Sequence, residues 1–305
     1  MRKPPALKQG DAVMIVAPAG PVKQKNVLAM KAYLEQFGLT VWLGQHIFAQ
    51  QGFLAGSDNE RLSDLQEAFA NPDVKAIFCA RGGYGSARLL PALDFSPLQA
   101  NPKIFWGYSD ITSLHIAIQQ QAQLVTFHGP MMQECGSDDV HPHTLSSFLQ
   151  LFSPYPLVFP AKERDMYPAF SHLVTAPIVG GNLTVLTATL GTPYEIDTRG
   201  KILLLEDVGE EPYRLDRMLN QLRLAGKFQD CAGVVLSDFH DCKPHLKKAS
   251  LSLADIIYDH IVPCQVPILG GFPIGHCHPN YGVPLGVQAT MNGAQQLLVF
   301  EPGVM

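Results

Sequence analysis

The chain has 305 residues, 47% of them hydrophobic and 16% charged, with a formal net charge of −5. That length can bury cores for two domains, while a mild negative charge with no basic stripe lacks the electrostatic footprint of a nucleic-acid-binding protein. No run approaches the roughly 18 apolar residues of a membrane span, and the polar start MRKPPALKQGD with the short apolar run at 12–17 does not make a signal peptide, so a soluble cytoplasmic protein is expected.

In chain order, residues 12–17 (AVMIVA) read as a buried strand, followed by a helix with Val27, Met30, Leu34 and Phe37 on one stripe and Gly38 closing it. Residues 39–43 form the next strand. Ser57 and Glu60 make a capping box before a helix with Leu62, Leu65 and Phe69 on one face. A strand at 74–80 (VKAIFCA) leads into Arg81-Gly82-Gly83-Tyr84-Gly85. Then come a short helix, a strand at 104–107, a helix at 110–121 with Leu114 and Ile118 on one side, and a strand at 124–127. This β–α alternation predicts a mostly parallel, doubly wound α/β sheet with helices on both faces. The rhythm breaks between about 135 and 167, where prolines and the charged run AKERD suggest a linker. The division drawn is 1–150 for an N-terminal α/β domain, 151–169 for the linker and 170–305 for a C-terminal domain.

The second pattern begins near residue 170, with short strands, Gly180-Gly181-Asn182 and a strand at 202–205 (ILLL). A helix over about 212–225 follows, its apolar stripe Leu215, Met218, Leu219 and Leu222. Glu210 and Glu211 stand at its positive end and Gly226 stops it. Further strands are read at 234–236, 267–269 and 297–300. The six cysteines are scattered with no CxxC, which points to reduced thiols.

Four places carry chemistry. Gly107-Tyr108-Ser109-Asp110 lies at the carboxyl end of a parallel strand, where open α/β sheets place ligands. Gly107 allows a sharp turn, Ser109 suits a nucleophile, and the Asp110 amide sits at a helix N-terminus, where orphan N–H groups favour negative charge. The pattern G-x-S-x-G is half met, Ile111 replacing its second glycine, and Ser and Asp also serve as plain helix caps. The three glycines of Arg81–Gly85 permit positive φ and close backbone approach, for an oxyanion or for a tight turn. His276, in Gly275-His276-Cys277-His278, can take a proton from a serine, or be a surface loop residue. Glu206 ends the apolar run at 202–205 and can orient a histidine, or be an ordinary strand-terminal acid. Together they form a Ser…Glu…His set distributed over two domains.

The motifs AVMIVAPAG, ARGGYGSARLLPALDF, GYSDITSLH, FHGPM, GGNLTVLTATLGTP, LLLEDVGEEPYRLDRMLNQLRLAG and FPIGHCHPNYGVPLG resemble the LD-carboxypeptidase family of serine peptidases, from near residue 11 to near residue 290. The resemblance implies Ser109 as nucleophile, His276 as general base, Glu206 as its orienting acid, and the backbone N–H groups of Gly83 and Asp110 as oxyanion hole. Arg81, Gly82 and Asn182 are implied substrate contacts, and His278 falls outside the triad. It also implies a flavodoxin or class I glutamine amidotransferase-like N-terminal domain, a C-terminal β-rich α+β domain of swivelling topology, and a homodimer. No cofactor, metal, nucleic acid or membrane partner is implied. The implied reaction removes the terminal D-alanine of murein tetrapeptides in peptidoglycan recycling, while some family members instead cleave peptide-nucleotide antibiotics. Residues 133–168 align with no family motif.

Three rivals remain at this level. His276 and His278 with Asp238, His240 and Asp241 would make a zinc hydrolase, although their spacing follows no standard zinc signature. The glycine loop and helix N-termini could serve a binding protein without turnover. Cys277 is a further nucleophile candidate, but adjacent residues on an extended chain point to opposite faces.

Overall fold

The structure, a computed structural model, describes residues 1–161, 168, 170–244 and 249–305. Its strands in chain order are β1 (Ala12–Val16), β2 (Thr40–Leu43), β3 (Val74–Cys79), β4 (Ile104–Gly107), β5 (Thr126–His128), β6 (Leu157–Pro160), β7 (Leu173–Asn182), β8 (Ile202–Val208), β9 (Gly233–His240), β10 (Ile268–Gly270), β11 (Val283–Leu285), β12 (Gln288–Asn292) and β13 (Leu297–Phe300). The chain forms two compact units: Met1–Tyr155 with Pro279–Gly286 and Pro302–Met305, and Pro156–His278 with Val287–Glu301.

The first unit is built on a sheet ordered β11-β5-β4-β3-β1-β2, in which all pairs are parallel except β11 with β5. The apolar runs of β1 and β4, and of β3 after the exposed Lys75, follow from burial on both faces, which leaves no room for alternation. The helix Gln24–Glu35 buries Val27, Met30 and Leu34. In the helix Asp58–Ala70 the capping box is formed: the Ser57 N–H donates to Glu60 Oε2 (2.8 Å), and the Glu60 N–H donates to Ser57 Oγ (3.3 Å). Leu65 and Phe69 of that helix are buried and Leu62 is half-buried. Strand order reverses between β1 and β3, the point at which open α/β sheets leave a crevice at their carboxyl ends. The helix after β4 begins as a short 3₁₀ turn, Ser109–Ile111, and continues as Thr112–Ala122.

The second unit has a mixed sheet ordered β10-β9-β8-β7-β12-β13-β6. Its β7–β10 half is parallel, whereas β12, β13 and β6 pair antiparallel. The outer strand β6 lies inside the stretch read as a linker; the cluster at 162–165 lies outside the described residues. Leu215, Met218, Leu219 and Leu222 of the helix Pro212–Leu224 are buried, as their spacing requires. No helix among the described residues is long and apolar enough to cross a membrane.

Candidate active site

In the first unit the chain leaves β4 through Tyr108 and turns at Ser109. Ser109 takes φ 57°, one of five described non-glycine residues with positive φ. A left-handed L-residue costs about 1–2 kcal/mol, so its surroundings must hold it there. Gly107 was expected to make the turn but has no positive φ; a Cβ on it would lie 2.9 Å from Cys79 Cβ, so its smallness admits the neighbouring strand. Behind the corner, the His115 Nε2–H donates to the Gly107 carbonyl at 2.7 Å. Burial pushes His115 down to a pKa of about 4, so its ring is neutral near pH 7 and the nitrogen facing the carbonyl carries the proton. The Tyr108 O–H donates to Glu134 Oε1 at 2.8 Å.

Asp110 is buried and does not cap a helix in the ordinary way. Its Oδ2 accepts the Ser86 N–H at 2.8 Å, and its carbonyl accepts the Ser86 O–H at 2.7 Å. Burial pushes its carboxyl pKa up, opposed by the Ser86 hydrogen bonds and by the Arg61 charge. The glycine loop after β3 comes directly against Ser109. A Cβ on Gly82 would lie 3.0 Å from Ser109 Cβ and 3.1 Å from Oγ. Gly83 has φ 100°, and among the described residues no hydrogen bond takes its N–H. Arg81 is exposed, its guanidinium donating to the Pro21 carbonyl, and exposed Tyr84 packs edge-on against Phe53 at 5.7 Å.

In the second unit, Glu206 and Asp207 end the apolar part of β8, and both are buried. Glu206 is 0% exposed, and its Oε2 accepts the His276 Nδ1–H at 2.7 Å. That bond selects the tautomer whose basic lone pair is on Nε2, the arrangement a general base needs. The register of β8 against β9 shifts between Leu205 and Asp207, a bulge that re-aims side chains at the strand end. Gly275 has φ 125°, and a Cβ there would lie 2.8 Å from Glu206 Oε2, so the residue before the histidine must be glycine.

Asn182 is buried. Its Oδ1 accepts the Val185 N–H at 3.2 Å, capping the helix Leu183–Ala188, and its Nδ2 donates to Asp207 Oδ1 at 3.0 Å. Asp207 also accepts from the Thr184 N–H and O–H and from the Val208 N–H. Burial, followed by the neighbouring Glu206 charge, pushes its pKa up against those hydrogen bonds. His278 is exposed and Cys277 half-buried. Among the described residues no group of three or more His, Cys, Asp or Glu side chains is placed to hold a metal ion, so the zinc alternative has no donor set there.

Sequence reasoning missed Ser86, His115 and Asp207. Asp207 had a legible signal, a second acid on an otherwise apolar buried strand; the other two owe their place to contacts 24 and eight residues away.

The model of the LD-carboxypeptidase N-terminal domain matches residues 13–129, and that of the LD-carboxypeptidase C-terminal domain matches 175–291. The chain is 49% identical over 303 residues to a Bacillus subtilis (strain 168) protein named "Probable murein peptide carboxypeptidase", covering 99% of this chain and 95% of that one. It is 28% identical to the "Microcin C7 self-immunity protein MccF" of Escherichia coli, over 90% of this chain and 88% of that one. A crystal structure of muramoyltetrapeptide carboxypeptidase from Oxalobacter formigenes superposes with a TM-score of 0.84 at 29% identity, covering 96% of this chain and 100% of that one. With both domain models matched in order and half of all positions shared with a full-length relative, the chain belongs to the LD-carboxypeptidase family and is a serine-type carboxypeptidase, a hydrolase.

Proposed function

We propose that this enzyme removes the terminal D-alanine from murein tetrapeptides, hydrolysing the bond between the L-centre of meso-diaminopimelate and D-Ala. Ser109 Oγ attacks the carbonyl carbon, and its proton passes to His276 Nε2. The resulting oxyanion accepts the Gly83 and Asp110 N–H groups; such a preset donor is typically worth about 3 kcal/mol of barrier. The C–N bond then breaks as His276 returns the proton to the departing D-Ala amine. Water attacks the acyl-serine ester and gives its proton to His276, which hands it back to Ser109 as the ester bond breaks. Glu206 holds the imidazole by Nδ1 and stabilises it when charged.

The observation that carries this reading is Ser109 at φ 57° against a glycine loop whose Gly83 N–H is taken by no hydrogen bond among the described residues. The 2.7 Å Glu206–His276 bond supports the base and its orienting acid. On the same reading Arg81 and Gly82 border the bound peptide. The family resemblance supports a cytoplasmic homodimer working on recycled wall fragments.

A second substrate, a peptide-nucleotide, is favoured by the relative named for microcin C7 self-immunity. The higher identity to the relative named for murein peptides favours the first. Mass spectrometry after incubation with each compound separates them. The expected result is a tetrapeptide lighter by one alanine residue, and no change with folded Ser109→Ala. An intact tetrapeptide beside a cleaved peptide-nucleotide would reverse the assignment, and turnover by Ser109→Ala would remove the nucleophile.

A further inference from the structure

We propose that Arg61 is a positioning residue for the oxyanion loop. It ties the loop after β1 to the loop after β3 and, through Ser86, sets the Gly83 amide relative to the Asp110 amide. The inference rests on the oxyanion roles proposed above for those two amides.

Arg61 lies on the helix Asp58–Ala70 and is 2% exposed. A guanidinium withdrawn from water must be paired and hydrogen-bonded to be tolerated. Its Nη1 donates to two loop carbonyls, that of Pro18 after β1 and that of Gly85 after β3 (2.8 Å), and its Nη2 pairs with Asp58. These two loops flank the point where the strand order reverses. A second tie runs between the same loops, from the Gly20 N–H to the Gly82 carbonyl at 2.9 Å.

The loop closes directly onto the guanidinium. Gly85 has φ 127°, and a Cβ on it would lie 2.9 Å from Arg61 Nη1 and 2.5 Å from Leu54 Cδ2. The next residue, Ser86, holds Asp110 by both its N–H (2.8 Å) and its O–H (2.7 Å). A continuous line of contacts therefore runs from Arg61 through Gly85 and Ser86 to Asp110. Gly83 stands two residues before its start in the loop, and Ser109 stands one residue before its end. Asp58, the counter-charge, is fixed in turn by a two-point contact from Arg88 Nε and Nη2. Only a planar fork of donors spans two carbonyls and a carboxylate at once; a lysine ammonium is a point charge on a flexible stem. Oxyanion donors act because they are set before the charge develops, and a displacement of about 1 Å at a reacting centre can cost about 100-fold in rate.

The test measures kcat and KM for a murein tetrapeptide in Arg61→Lys, Arg61→Ala and Ser86→Ala, each checked for folding by circular dichroism and thermal unfolding, with Ser109→Ala alongside. We expect kcat to fall about ten- to a hundredfold in Arg61→Lys and Ser86→Ala with KM within about twofold, and added guanidinium ion to restore part of the kcat of Arg61→Ala. If Arg61→Ala does not fold, the other two variants decide. Wild-type kcat in folded Arg61→Lys overturns the proposal, as does a fall in kcat matched by an equal rise in KM. An inert Ser109→Ala beside an unaffected Arg61→Lys removes this proposal alone. Turnover by Ser109→Ala removes the parent reading and this one with it.

Discussion

Gly275→Ala probes whether backbone conformation controls the catalytic base. At φ 125° an alanine carries about 1–3 kcal/mol of strain, because that region is close to glycine-only. The added methyl would also lie 2.8 Å from Glu206 Oε2 and 3.1 Å from Glu206 Cβ. Glu206 is fully buried on β8, flanked by β7 and β9, so its backbone cannot retreat and the carboxylate must rotate. Rotation breaks the 2.7 Å bond to His276, and a hydrogen bond to a charged group is worth about 1.5–3 kcal/mol. After relaxation the combined loss is about 3 kcal/mol of stability in the second unit. On the proposed role, an imidazole displaced by about 1 Å costs about 100-fold in kcat. Denaturant unfolding and tetrapeptide turnover read the two effects separately. Gly191→Ala is the control: φ is 77° with nothing within 4 Å of the new methyl, so strain of about 1 kcal/mol and unchanged turnover are expected. Wild-type stability and turnover in Gly275→Ala would refute the reasoning.

Glu206→Gln should cost less in kcat than His276→Ala, because it perturbs the orientation and charge of the base and leaves the base in place; a larger loss in folded Glu206→Gln argues against the orienting role. The buried His115 sets a pH dependence. Its pKa drops from 6.5 to about 4 on folding through burial. Between those values the unfolded chain binds a proton that the folded chain refuses. Stability therefore falls as the pH is lowered from about 6.5 to about 4, by about 3 kcal/mol from this group. His115→Gln keeps an N–H for the Gly107 carbonyl and should lose that part of the slope; superimposable stability–pH curves for the two proteins would sink the assignment.

Much of the parallel architecture was legible, because β–α alternation and long apolar runs are local patterns. The strands at 104–107 and 297–300 and the Ser57–Glu60 capping box have the bounds their residues suggested. Asn182 has a structural role besides the substrate contact that the family resemblance implies. An asparagine before LTVLTA is a helix-cap signal, and the structure uses it as one, with its amide committed to Asp207. β11 carried no strand signal, since three residues with a central proline read as a break; it is admitted because it pairs at the sheet edge, where a missing N–H is tolerated. Gly107 allows a sharp turn, yet the left-handed residue of the corner is Ser109, because packing on both sides of the corner outweighs intrinsic preference.

Residue type and spacing alone determined that this chain is an α/β protein with a serine and an acid at strand ends and a histidine after a glycine, because strand and helix periodicities and chemically distinctive side chains are local properties. Tertiary structure alone decided that β11 and the residues after 301 return to the first unit, that Ser109 takes the turn, that Glu206 meets His276 across 70 positions, and that Arg61 and Ser86 brace the glycine loop. Contacts between residues far apart in the chain leave no periodicity behind, and only the folded backbone brings their donors and acceptors within reach.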